Sequence, residues 1–283
     1  GLLVPIFLWV IYQGGWIYNV VVLVLLTVAV WEFVEIAAKV SLSPSRVISL
    51  LSLWVFVGVT GVTTGNWLLP CIVLVLMITT VWHIIDYEKG ATHSLQSWAV
   101  SLIGPVYIGL LGGHLLLLRA LPFGEWLTLI VLPVVWISDT GAYIIGRRYG
   151  KHALAHRTSP HKTWEGLAGG LLVSMLTAWG LASMSAHWLS AEPVIPVAWA
   201  MGLGLAIGLT GQAGDLVMSL IKRSAQVKDS SSLLPGLGGV MDVLDSPLLA
   251  APVAWNIPST LSCLSHPTPE VVGIVCVSMR RDR

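Results

Sequence analysis

Residues 16–34 read WIYNVVVLVLLTVAVWEFV, a continuous apolar run. Its length approaches the roughly 20 residues that an α-helix needs to cross the hydrocarbon core of a bilayer. A soluble core would instead spread its apolar residues through short amphipathic stripes. Similar runs lie at residues 2–12, 47–63, 67–85, 96–118, 126–146, 166–188 and 196–217, the first of them short. Composition agrees. Of 283 residues, 55% are hydrophobic and 10% are charged, against roughly 25% charged in an ordinary soluble domain. The mean hydropathy is +0.83, and the 14 tryptophans suit membrane interfaces. The expected fold is all-α: a polytopic helical integral membrane protein of about eight to nine transmembrane helices.

The connections between the runs fall into two sets. Those near residues 13–15, 64–66 and 191–193 are short and almost free of charge, with Arg119 the only basic residue on that side. The other set carries Lys39, Arg46, Lys89, Arg147, Arg148, Lys151, Arg157, Lys162, Lys222, Arg223 and Lys228. Under the positive-inside rule the second set faces the cytoplasm. The alternation also supports the number of runs, because dropping one helix scrambles it. The chain opens on Gly1 rather than Met, so the first run is not assigned as a signal peptide. After Trp255, the prolines Pro258, Pro267 and Pro269 predict a turn-rich tail rather than a helix.

Several function classes drop out. A net charge of +1 argues against nucleic acid, which calls for a basic field. Cys71, Cys263 and Cys276 form neither a CxxC pair nor a zinc spacing, and a disulfide scaffold does not fit. The chain has no HExxH, no GxSxG and no GxxxxGK[ST], which sets aside zinc enzymes and the commonest hydrolase and NTPase readings.

The scarce charge gathers in GQAGDLVMSLIKRSAQVKDSSSLLPGLGGVMDVLDS, residues 211–246, with three Lys or Arg and four Asp. Asp215, Ser219, Lys222 and Arg223 are offset by four, seven and eight positions, which puts them on one helical face. That stripe suits a phosphate-plus-metal site; a salt-bridge ladder at an interfacial helix end is the alternative. Asp242 and Asp245 are three apart with no basic neighbour in sequence, so they share a face and repel. A divalent cation resolves the repulsion, and magnesium takes few carboxylates, keeps waters and completes its shell with phosphate oxygens. Between the halves, Pro235, Gly236, Leu237, Gly238 and Gly239 form a flexible loop whose amides can approach an anion.

Two further groups stand out. Asp139 falls within a span, where a carboxylate costs several kcal/mol unless it is paired or faces water, so a functional role is the default. A packing aspartate bonded to a hydroxyl or amide is the alternative. In HRTSPHKTWEGLAGG, residues 156–170, Ser159, Lys162 and Thr163 precede a helix whose amino end can hold an anion. Glu165 carries a metal or caps that end, whereas His156 and His161 read as interfacial polar groups. Positive-inside bias alone accounts for the charges of Arg157 and Lys162.

These residues resemble the signature of the phosphatidate cytidylyltransferase family. The matching positions are Ser219, Lys222, Arg223, Lys228, Asp229, Ser230, Pro235, Gly236, Gly238, Gly239, Asp242 and Asp245. Ser138 to Tyr143, Gly146 with Arg147, Ser159 to Gly166 and Gly211 to Leu216 are also similar to that family. The close match covers roughly residues 130–255. The resemblance implies transfer of a cytidylyl group from CTP to phosphatidic acid, giving CDP-diacylglycerol and pyrophosphate, with Mg2+, one ion or two, as cofactor. It assigns Asp215, Asp242 and Asp245 to metal and phosphate handling. Lys222, Arg223, Lys228 and Asp229 surround the nucleotide, and Ser159, Lys162, Thr163 and Glu165 form a second binding loop. Two positions depart from the family pattern: Leu237 stands where members carry a histidine, and Val243 where they carry an arginine.

The expected organisation is residues 1–125 as N-terminal transmembrane helices, 126–256 as the catalytic transmembrane core with cytoplasmic loops, and 257–283 as an atypical tail. Asp215, Lys222, Arg223, Asp242 and Asp245 are the catalytic candidates. Ser159, Lys162, Thr163, Glu165, Ser219, Lys228, Asp229, Gly238 and Gly239 are the nucleotide-binding candidates. A bacterial inner membrane, an active site facing the cytoplasm, a surrounding lipid bilayer and a homodimer complete the expectation. The competing readings are a CTP-dependent polyprenol or lipid kinase and an ion-coupled membrane transporter, the latter using Asp139 and Asp215 as coupling carboxylates.

Overall fold

The computed structural model of the chain describes residues 3–62, 67–189, 195, 197–234, 236 and 238–265. The helices are α1 (Leu3–Gln13), α2 (Gly15–Ala38), α3 (Arg46–Val62), α4 (Leu68–Glu88), α5 (Ser94–Pro105), α6 (Leu111–Ala120), α7 (Gly124–Tyr149), α8 (Trp164–Leu189), α9 (Val197–Ser224) and α10 (Val240–Ser265). A π-helical turn, Val106–Leu110, joins α5 to α6, so that Ser94–Ala120 runs as one 27-residue helix. The wide turn follows Pro105, whose ring removes an amide donor and crowds the preceding turn.

The all-helical membrane architecture is as expected, since helices satisfy their backbone polar groups internally where lipid offers no partner. Among the described residues six helices are long and apolar enough to cross a membrane: Gly15–Ala38, Leu68–Glu88, Ser94–Ala120, Gly124–Tyr149, Trp164–Ser185 and Trp199–Ser224. The remaining helices fall short of that measure over their described residues: α1 has 11 and α3 has 17. α10 has 26 but spends them on Asp242, Asp245, Asn256 and several prolines. It also continues past Trp255 to Ser265, where a turn-rich tail was expected to begin. Pro235, Leu237 and the rest of that tail lie outside the described residues.

Two apolar clusters hold the helices together. In one, α2 contributes Val22, Leu26, Ala29 and Val30 against Met241, Leu244 and Leu248 of α10. The other joins α7 (Ile130, Val134), α8 (Ala178, Ala182), α9 (Leu203, Ile207) and α10 (Ala250, Ala254). Small residues permit this closeness: a Cβ on Gly170 of α8 would stand 2.8 Å from Ala142 Cβ and 3.0 Å from Ser138 O on α7.

Outside the helices, β1 (Ala153–Ala155) pairs antiparallel with β2 (Ser159–Thr163), with Ala153 opposite Thr163 and Ala155 opposite Ser159. This hairpin was not foreseen in an all-helical reading. It bridges the C-terminal end of α7 and the N-terminal end of α8, and Trp164 N donates back to His152 O at 3.0 Å.

Candidate active site

The hairpin delivers its side chains because α8 starts immediately after it. Thr163 is the N-cap: its Oγ1 accepts the Gly166 amide at 3.1 Å, satisfying one of the donors a helix start leaves open. Lys162, one residue earlier, turns inward. Its Nζ lies 2.7 Å from Asp215 Oδ2 on α9 and 3.5 Å from Gln212 O. Asp215 Oδ1 also accepts from Ser219 Oγ at 3.3 Å, one helical turn on.

These groups open onto a cavity of about 720 Å³, whose wall includes Asp139, Arg147, Ser159, Lys162, Thr163 and Asp215. Gln212 Nε2 donates to Asp139 Oδ1 at 2.7 Å, so the intramembrane aspartate is both amide-bonded and cavity-facing. Glu165 takes a different part from the metal role considered for it. Its carboxylate accepts from Lys151 N at 3.1 Å and His152 N at 3.3 Å, and lies 2.6 Å from His152 Nδ1. It ties the hairpin to α8.

The second half of the site surrounds the start of α10. Asp242 Oδ1 lies 2.6 Å from Lys222 Nζ, and both side chains are largely buried, at 11% and 14% exposure. Asp242 Oδ2 accepts from Ser230 N at 2.9 Å, Ser230 Oγ at 2.8 Å and Gly239 N at 2.9 Å. The bond to Gly239 is the reach from the third helical residue back to the cap position. The repelling, uncompensated Asp242 and Asp245 pair expected from local spacing is therefore corrected: Lys222, distant in sequence, neutralises Asp242. Gly238 has φ +86°, and a Cβ there would stand 2.5 Å from Asp242 Oδ2, so the turn requires glycine.

Asp245 accepts from its neighbour's amide, Ser246 N, at 2.6 Å. Asp139, Asp215 and Asp245 lie within electrostatic reach of one another, with Lys162 acting on Asp139 and Lys222 on Asp245. Among the described residues no group of three or more acidic, His or Cys side chains forms a ready-made metal cage. The trio Asp215, Asp242 and Asp245 is thus not preassembled. The donor chemistry still fits magnesium, which takes one or two carboxylates and draws its remaining ligands from water and phosphate.

A second, more apolar cavity of about 350 Å³ borders the first. Phe7, Leu25, Trp136 and Val243 line it together with Asp139, Asp242 and Asp245. Asp139 is common to both walls. Arg223, expected beside the nucleotide, is exposed and donates to Val227 O at 3.2 Å. Lys228 and Asp229 are likewise exposed on the loop.

Sequence reasoning missed Glu32. This α2 residue is 4% exposed and reaches the same region from the N-terminal helices. Oε1 accepts from Ser231 Oγ at 2.6 Å and Val240 N at 3.0 Å. Oε2 accepts from Ser230 Oγ at 3.0 Å and Met241 N at 2.8 Å. An acidic residue inside a run long enough to span was the available signal.

Membrane helices, a polar cavity edged by lysine and carboxylates, and an apolar cavity sharing one wall define a membrane enzyme that handles a charged and a greasy substrate together. The chain belongs to the cytidylyltransferase family, whose sequence profile matches residues 1–261. It is similar to the phosphatidate cytidylyltransferase of Bacillus subtilis, at 28% identity over 259 residues, covering 88% of this chain and 91% of the relative. The phosphatidate cytidylyltransferase of Haemophilus influenzae is 33% identical over 243 residues, covering 79% and 83%. That of Rickettsia bellii is 31% identical over 225 residues, covering 80% and 90%.

Proposed function

We propose that this protein transfers the cytidylyl group of CTP to phosphatidate, releasing pyrophosphate and forming CDP-diacylglycerol for phospholipid synthesis. The observation that carries the reading is the pair of cavities meeting at Asp139: a polar one for the nucleotide and an apolar one for the lipid. Family membership and the relatives' names support the choice of CTP and phosphatidate.

Phosphatidate is an anion at neutral pH and needs little help from a general base. Its phosphate oxygen attacks the α-phosphorus of CTP, a new P–O bond forms, and the bond to the departing pyrophosphate breaks. The difficulty is to bring two anions together and to stabilise the charge that builds on the α-phosphate and leaving group. Lys162 and Lys222 are placed for this, each now neutralised by a carboxylate that incoming phosphate oxygens replace. Ser159 and Thr163 offer hydroxyls on the cavity wall. Arg223 and Lys228 are exposed cations of the α9 end and the loop after it, and in this reading they draw the nucleotide in.

Asp215 and Asp245 are the residues that would hold magnesium; Asp242 joins them only by exchanging its Lys222 contact. Bound magnesium supplies neutralisation of the phosphates and polarisation of the α-phosphate. The catalytic core in this reading is residues 126–256, to which the N-terminal helices add Glu32 and an apolar wall. The distribution of Lys and Arg supports a cytoplasmic site, and the bacterial relatives support an inner-membrane location. A homodimer remains an expectation for light scattering of the purified protein.

The test is to incubate purified protein with CTP, magnesium and phosphatidate. CDP-diacylglycerol with pyrophosphate is the expected outcome. Lipid phosphate with CDP from a polyprenol acceptor would replace the reading with a lipid kinase. Solute uptake into proteoliposomes without CTP, and no CDP-lipid, would replace it with a transporter.

A further inference from the structure

Glu32 does more than fill a space in α2. All its hydrogen-bond partners described above are neutral donors, and they belong to two separate pieces of the site. Two are hydroxyls of the loop after α9, Ser230 and Ser231. Two are the first amides of α10, Val240 and Met241. A helix start leaves four amides without intrahelical acceptors, and its partial positive charge favours an anion. Glu32 supplies that anion from another helix, and the bonds from Ser231, Val240 and Met241, with Ser230 shared, offset the several kcal/mol that a buried carboxylate costs.

Ser230 links this anchor to the site. Its single hydroxyl proton lies between Glu32 Oε2 at 3.0 Å and Asp242 Oδ2 at 2.8 Å, so it bonds one carboxylate at a time. Gly239 leaves room for the arrangement: a Cβ there would stand 2.5 Å from Glu32 Oε2 and would run into Ser230 Oγ.

We propose that Glu32 is a positioning residue of the transfer site: from α2 it fixes Ser230, Ser231 and the amino end of α10, and thereby the Asp242–Lys222 pair. The inference rests on the cytidylyl-transfer reading for its catalytic consequence, and on geometry alone for its structural one. Glu32→Gln is the informative change. The amide has one acceptor oxygen for four donors, and its NH2 opposes either the Met241 or the Val240 amide.

The full chain purified in detergent is examined by hydrogen exchange and by steady-state assay with CTP and phosphatidate. In Glu32→Gln whichever of the Val240 and Met241 amides faces the NH2 exchanges at least about tenfold faster, as expected for a donor losing a buried acceptor. kcat falls by about tenfold or more, and Glu32→Asp recovers part of it. In a Lys222→Met background the same Glu32→Gln change costs less than about twofold further, because both act through one unit.

Unchanged exchange in Glu32→Gln overturns the anchoring role. Loss that multiplies fully with Lys222→Met overturns the route through Asp242 and Lys222. Should Glu32→Gln fail to insert, Ser231→Ala removes one of the four donors and is expected to move exchange and kcat the same way by less; no movement there overturns the inference. If the unaltered chain makes no CDP-lipid, the functional reading fails while the exchange result still decides the anchoring.

Discussion

Lys222 Nζ sits 2.6 Å from Asp242 Oδ1, one half of an ion pair whose other oxygen already receives Ser230 and Gly239. Asp242→Asn therefore removes more than a site charge. It is expected to abolish CTP-dependent product and to leave Lys222 buried beside a neutral amide, at a cost of about 3–5 kcal/mol by analogy with broken buried pairs. Replacing both partners, Lys222→Met with Asp242→Asn, recovers much of the thermal stability and none of the activity. Thermal melting in detergent beside a CDP-lipid assay checks both halves.

Lys162 contacts Asp215 directly, its Nζ 2.7 Å from Asp215 Oδ2. Lys162→Met is expected to lower kcat by about 10²–10³-fold, the range for removing one preorganised donor from a charge-stabilising site. Lys162→Arg retains the charge and loses less. Wild-type turnover in Lys162→Met would remove this residue from the nucleotide site.

Gly214 lets α9 touch α10. A Cβ there would collide with Asp245 O and stand 3.2 Å from Asp245 C, and neither backbone atom can swing aside. Gly214→Ala is expected to lower Tm and to reduce activity at least tenfold by displacing Asp245. Gly202→Ala lies on the same helix with nothing within 4 Å of the added carbon, and is expected to leave both unchanged.

Magnesium removal is expected to separate catalysis from folding. Lys162 and Lys222 already neutralise Asp215 and Asp242, so the apo site carries its own counter-ions. Chelation is expected to stop CDP-diacylglycerol formation while Tm stays within error of the untreated protein. CTP with magnesium is expected to stabilise the fold by mass action, by about 2.7 kcal/mol at a hundred times Kd, and so to raise Tm. Calorimetric melting with and without chelator checks this.

How much of this was legible depended on whether the physics was local. The spans were legible because a bilayer sets one length, and runs such as residues 16–34 meet it. Asp215 and Ser219 were legible as neighbours because helical spacing fixes them. The Lys222 partner of Asp242 was not, since the turn joining α9 to α10 brings them together. Ser159 to Thr163 read as a loop before a helix; the pairing with Ala153–Ala155 depends on a three-residue strand with no alternation to betray it. Glu32 was passed over because one carboxylate barely alters the character of an apolar run.

The distance in sequence between Glu32 and Met241, 209 positions, also orders events during biogenesis. At roughly 5–20 residues per second of synthesis, α2 is made some 10–40 s before the amides that its carboxylate needs. Until α10 arrives, the nascent bundle carries an unmatched acid in its interior, an arrangement lipid does not forgive. Truncation before Val240 is thus expected to leave a marked substrate for membrane proteolysis, checked by the half-life of the truncated chain beside that of the full one.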